Sequence, residues 1–174
     1  MTMPPRVRKL VLTTHVTTSV GWLGAVIAYL ALDVTAVISQ ELQLTRSMYL
    51  AMEVTVNYAI VPLALVSVLI GIINALGTTW GLFRHYWVLV KLVLTLAATT
   101  VLLIETSVVS RLAEAAASAA DPRELSGTLG HSIGGLVVLL LALILSVYKP
   151  RGLTRHGWRK QQKQRGNQRA AFES

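Results

Sequence analysis

Few residues in this chain can do chemistry, and the most telling sit inside apolar sequence. His15 lies within LVLTTHVTTSVGWL, Lys91 within HYWVLVKLVL, Glu105 within VLLIETSVV and His131 within TLGHSIGG. A neutral imidazole among packed helices is a natural axial ligand for haem iron, and a nearby ammonium can neutralise a propionate. His15 and Lys91 fit that division of roles. A metal ion would instead use His131 and Glu105, with Met48, Met52 or Glu53 as further donors, although no tight ligand spacing marks such a site. Each residue also has a plainer reading. Lys91 can snorkel to the interface, His15 can hydrogen-bond a neighbouring helix, and Glu105 and His131 can be solvated near a span end. The chain has no cysteine, and no P-loop, HExxH or Ser-His-Asp arrangement stands out.

The elements that must position these residues follow from composition. Of 174 residues, 53% are hydrophobic and 14% charged, against about 25% charged in an ordinary soluble domain. Roughly 20 apolar residues cross a hydrocarbon core. Four blocks qualify, at about 10–32, 54–76, 86–109 and 128–148. A basic segment, 1–9, precedes them, and a basic tail, 149–174, follows. The first block is long for a signal core and lacks a convincing cleavage site, so it is expected to be retained as a span. In lipid such blocks must be helical, which gives an all-α bundle of four transmembrane helices. The Ala-rich stretch RLAEAAASAADPREL is expected to extend the third helix until Pro122.

Charge gives the orientation. Twelve Lys and Arg lie before the first span, between the second and third, or after the fourth, whereas only Arg46, Arg111 and Arg123 lie on the other side. Both termini are therefore expected in the cytoplasm, with Trp80, Tyr86 and Trp87 at that interface. The net charge of +8 belongs to these flanks, so nucleic-acid binding is not expected. The tail, which lacks hydrophobic periodicity, is expected to lie on anionic lipid headgroups or to stay disordered. His85 and His156 read as surface residues.

Depth sorts the polar residues into two layers. His15, Asn74 and Lys91 fall near the cytoplasmic side. Asn57, Glu105 and His131 fall near the other, with Glu53 and Asp33 close by. His15 and His131 are then roughly 20 Å or more apart by helix rise and cannot both ligate one haem. Lys91, Thr95, Ala98, Leu102 and Glu105 share one helix stripe. His15, Trp22 and Thr18 or Ser19 share another. Thr17, Gly21 and Ala25, and the pair Gly130 and Gly134, make small-residue seams that point to helix packing and permit a homo-oligomer.

His15-x6-Trp22-x-Gly24, Gly77-Thr-Thr-Trp-Gly81 and Tyr86-Trp87-Val-Leu-Val-Lys91-Leu92 resemble a broad superfamily of small bacterial membrane proteins. That superfamily includes the CopD copper-resistance domain, HemJ-type protoporphyrinogen oxidase and uncharacterised integral membrane proteins, the last being the best match. The resemblance implies a b-type haem site that uses His15 and Lys91, with Trp87 at the matching tryptophan position. The expectation is thus a multi-pass protein of the bacterial inner membrane, of uncharacterised role, binding haem for a redox function. The alternatives are a copper- or other metal-handling, transport-associated protein, and an accessory subunit without cofactor.

Overall fold

The computed structural model describes residues 3–77, 83–118, 121–125, 127–150, 152–155, 157–159, 162 and 166. Trp80 and the rest of the 78–81 motif, His156 and most of the tail lie outside them. Four long helices carry the fold: α1 (Pro5–Ile38), α2 (Leu42–Leu76), α3 (Tyr86–Ser118) and α4 (Leu129–Tyr148). All four are long and apolar enough to cross a membrane, and no strand occurs among the described residues. The protein is an all-α, four-helix membrane bundle.

The helices form a square. α1 packs on α2 and α4, and α3 packs on the same two, so α1 and α3 face each other across the diagonal. The start of α1 and the segment that follows α4 lie at the same end of the square. There the Met3 N–H donates to the Gly77 carbonyl at 3.1 Å, and the Thr154 N–H donates to the Arg84 carbonyl at 3.0 Å.

Helix lengths differ from expectation in an informative way. α2 begins at Leu42 rather than near residue 54, so only residues 39–41 connect it to α1. Residues 42–55 carry Thr45, Tyr49 and Met52 on a buried stripe that continues to Val56. That 4, 3, 4 spacing is a soluble helix period, which a search for uncharged spans passes over. α3 runs to Ser118, and a short 3-10 turn follows at Pro122–Glu124. At about 1.5 Å per residue, α1, α2 and α3 each reach about 50 Å, well beyond a hydrocarbon core of about 30 Å. The excess forms a three-helix head away from the termini. Its core contains Ala36, Tyr49, Met52, Ala113 and Ala116, each at most 2% exposed. The two alanines of α3 allow the close approach, and Arg46 Nε donates to the Ala116 carbonyl at 2.9 Å.

Two local features follow from residue chemistry. Pro62 has no N–H, and its ring crowds the carbonyl one turn earlier. The helix absorbs this with a wide π turn at Val56–Ile60 just before it. α4 ends at Lys149, whose left-handed backbone (φ 43°) is followed by Pro150, which cannot continue the helix. The Gly130–Gly134 seam does not pack α4 inside the protein: a Cβ at either position would meet nothing within 4 Å. Gly21 does lie in a helix contact, against Leu63 of α2.

Candidate functional site

At the termini end, His15 of α1 leans on α2. Its Nδ1 lies 3.1 Å from the Ser67 carbonyl. A carbonyl can only accept, so Nδ1 carries the proton and Nε2 keeps its lone pair in the neutral ring. Gly71, one turn beyond Ser67, makes room for the imidazole: a Cβ there would come within 2.9 Å of His15 Cε1. The Ser19 and Ser67 hydroxyls bond at 2.8 Å and pin the same helix pair. These contacts hold the ring in one orientation and leave one nitrogen available.

Lys91 enters from the opposite edge of the square. Its Nζ donates to Ser146 Oγ of α4 at 2.6 Å, and that hydroxyl donates onward to the Ala142 carbonyl at 2.8 Å. The ammonium is therefore turned across the α3–α4 seam, toward a hydroxyl two residues from the end of α4. It lies close enough to His15 for the two groups to interact electrostatically. Two of its three protons remain for other acceptors. Trp87 precedes Lys91 by one turn, on the same side of α3, and is partly buried. Thr95 and Thr99 continue the polar line up α3, each returning its hydroxyl to the helix backbone. Asn74 is partly exposed and joins none of these bonds.

The other expected layer divides in two. Glu105 and His131 do meet, with Oε1 and Nε2 3.3 Å apart. The His131 side chain is largely exposed and Glu105 mostly covered. Among the described residues no group of three or more His, Cys, Asp or Glu forms there. Asn57 is exposed, Met52 is enclosed in the head core, and Met48 packs against that core.

Asp33, which the sequence marked only as nearby, is the centre of the stronger network. It is fully buried. Its Oδ1 accepts from the Thr128 N–H at 3.2 Å, and its Oδ2 accepts from the Thr128 and Ser132 hydroxyls at 2.9 and 3.0 Å. Since the Thr128 proton goes to Asp33, the Tyr29 hydroxyl donates to Thr128 Oγ1, at 2.6 Å. A carboxylate from α1 thus caps the N-terminus of α4, where the helix dipole favours negative charge. Gly127 permits the approach, since a Cβ there would sit 2.9 Å from Asp33 Oδ1. Nothing in the sequence links Asp33 to Thr128, 95 positions away. The same holds for Ser67 and Ser146, small hydroxyls in apolar runs whose partners lie on other helices.

No known family model matches the chain. No curated protein matches it significantly, and no solved structure does.

Proposed function

We propose that this is a multi-pass protein of the bacterial inner membrane, with both termini in the cytoplasm, that binds b-type haem at its termini end. The orientation rests on charge. Arg6, Arg8, Lys9, Arg84, Lys149, Arg155 and Arg159 gather at the termini end, against Arg46, Arg111 and Arg123 at the other. In this reading His15 would hold the haem iron, Lys91 would pair a haem carboxylate and Trp87 would flank them. The observation that carries it is the bond from His15 Nδ1–H to the Ser67 carbonyl. A backbone acceptor on one imidazole nitrogen is the usual way to orient the other toward a metal. Haem bound there would supply one-electron chemistry, while the chain's own residues fix the ligand ring and provide a cation for a carboxylate.

The test is an absorption spectrum of the purified protein, oxidised and dithionite-reduced, from cells supplied with haem precursor. The expected result is an intense Soret band that His15→Ala removes and Lys91→Met weakens. A colourless, well-folded wild type would overturn the reading and favour an accessory role without cofactor. The 3.3 Å contact of Glu105 and His131 supports a second reading, metal handling at the opposite end. It requires a bound copper or other ion, found by elemental analysis, that His131→Ala or Glu105→Ala releases.

A further inference from the structure

The first stretch of the tail does not trail away from the bundle. The Thr154 N–H donates to the Arg84 carbonyl and the Thr154 hydroxyl to the Phe83 carbonyl, while the Tyr86 N–H donates to Gly152. Thr154 in turn receives the Gly157 and Trp158 N–H groups, at 3.1 and 2.9 Å. Gly157 lies so close beneath that a Cβ would strike the Arg84 carbonyl. Six residues, Tyr86, Leu153, Thr154, Arg155, Trp158 and Arg159, enclose an open groove of about 410 Å³ between this folded-back segment and the start of α3.

We propose that the groove seats the phosphate headgroup of an anionic phospholipid from the leaflet on the termini side. Depth supports this: Tyr86 opens α3, and α4 closes at Tyr148, so the groove sits where the spans end. Charge supports it too. Arg155 and Arg159 are one helical turn apart and exposed at the rim, and neither has a hydrogen-bond or ion-pair partner among the described residues. Seven of the eight acidic residues belong to the opposite half of the molecule, and the eighth is Glu173. A guanidinium fork matches phosphate oxygens, and two of them suit one headgroup. Tyr86 and Trp158, exposed by 54% and 56%, supply the amphipathic rings that favour headgroup depth, with Leu153 below for the first acyl carbons. The proposal rests on the membrane fold and on no cofactor, so a colourless protein would leave it standing.

The experiment is native mass spectrometry of the full chain in detergent micelles doped equally with phosphatidylglycerol and phosphatidylcholine. The wild type is expected to retain one phosphatidylglycerol in preference. Arg155→Gln with Arg159→Gln should weaken that retention roughly thirtyfold, at about 1 kcal/mol per cation near a headgroup. Arg155→Lys with Arg159→Lys should restore part of it. Arg6→Gln with Arg8→Gln, which removes equal charge from the exposed start of α1, should leave it unchanged. Equal losses in both glutamine pairs would overturn the proposal in favour of a diffuse basic surface. Absence of headgroup preference would overturn it as well. So would displacement of the lipid by inorganic phosphate at matched concentration, which would mark a soluble anion as the ligand.

Discussion

At the end away from the termini, the Asp33 carboxylate accepts three hydrogen bonds and is fully enclosed. At the termini end, His15 uses one ring nitrogen on Ser67, and Lys91 uses one proton on Ser146. Both clusters are polar groups in an apolar bundle, and their residual capacity differs. A carboxylate with three of its roughly four acceptor sites used, and enclosed in a dense core, is closed to a ligand, and its bonds join α1 to α4. The imidazole and the ammonium each keep bonding capacity beyond these bonds, which on the proposed reading a ligand would take up. The packing around them differs in the same sense. The head core closes over Tyr49 and Met52, whereas His15, Lys91 and Ser146 are themselves only partly covered. Burial alone would have selected Asp33 as the site; counting unused bonding capacity selects His15.

Breaking the enclosed end should cost the most. Asp33→Ala strands the Thr128 N–H, leaves the Thr128 hydroxyl only its bond to Tyr29, and leaves Ser132 only its bond to the Leu129 carbonyl. A loss on the order of 3–5 kcal/mol is expected, because buried donors lose a charged acceptor. Reversible unfolding in detergent would measure it, and any Soret band should keep its position in the folded fraction. A band that moves would tie the two ends together and break the comparison. Gly71→Ala comes next. Its methyl would force the His15 ring aside, with an expected cost of about 1–3 kcal/mol from overpacking and a changed spectrum or lost colour. Gly24→Ala is its counterpart. Nothing lies within 4 Å of that Cβ, so the helix should gain a few tenths to about 1 kcal/mol with no spectral change. If Gly71→Ala behaves like Gly24→Ala, His15 is not held as described.

The sequence made the bundle legible because the bilayer leaves a hydrophobic run few options. It also placed His15 and Lys91 in one layer, and Glu105 opposite His131, because depth along a helix can be counted. The head was not legible as a head. Residues 42–55 carry Arg46 and Glu53, which a search for spans treats as loop, although Thr45, Tyr49, Met52 and Val56 repeat at helical spacing. Partners across helices were not legible either. Which hydroxyl receives Lys91 depends on the rotation of α4, and no spacing within one helix reports that. The glycine seam shows the same limit. Gly130 and Gly134 mark a face that can be approached closely, but the packing partner within the chain is elsewhere. The folded-back tail was missed because its hold is two backbone bonds and the single Thr154 hydroxyl, which leave no side-chain pattern.

Ser146→Ala sharpens the comparison at the open end. It removes the one hydroxyl that Lys91 meets among the described residues, at about 1 kcal/mol for an interhelical hydrogen bond in a membrane. If Lys91 serves a ligand's carboxylate, the loss should shrink when haem is bound, because the ammonium then has its other partner. Unfolding midpoints of Ser146→Ala with and without haem would show it. An equal loss in both states would return Lys91 to the same category as Asp33, a bond made only for packing.

The smallest effect is expected at the surface of the head. Asp121 accepts from the Arg123 backbone N–H at 3.0 Å and from its guanidinium, while Arg123 Nη1 reaches the Gln40 carbonyl at 3.1 Å. These bonds tie the turn before α4 to the α1–α2 connection. The arginine's hydrogen bonds hold the Asp121 carboxyl at a pKa of about 2, below its ordinary value of 3.8. The carboxylate form is thus favoured in the folded state. Its contribution is complete above about pH 4 and is lost as the pH falls towards 2. Water screens an exposed pair, so the loss should be a small fall in the unfolding midpoint, absent in Asp121→Asn. A steep fall over that window which survives Asp121→Asn would have to come from another carboxylate.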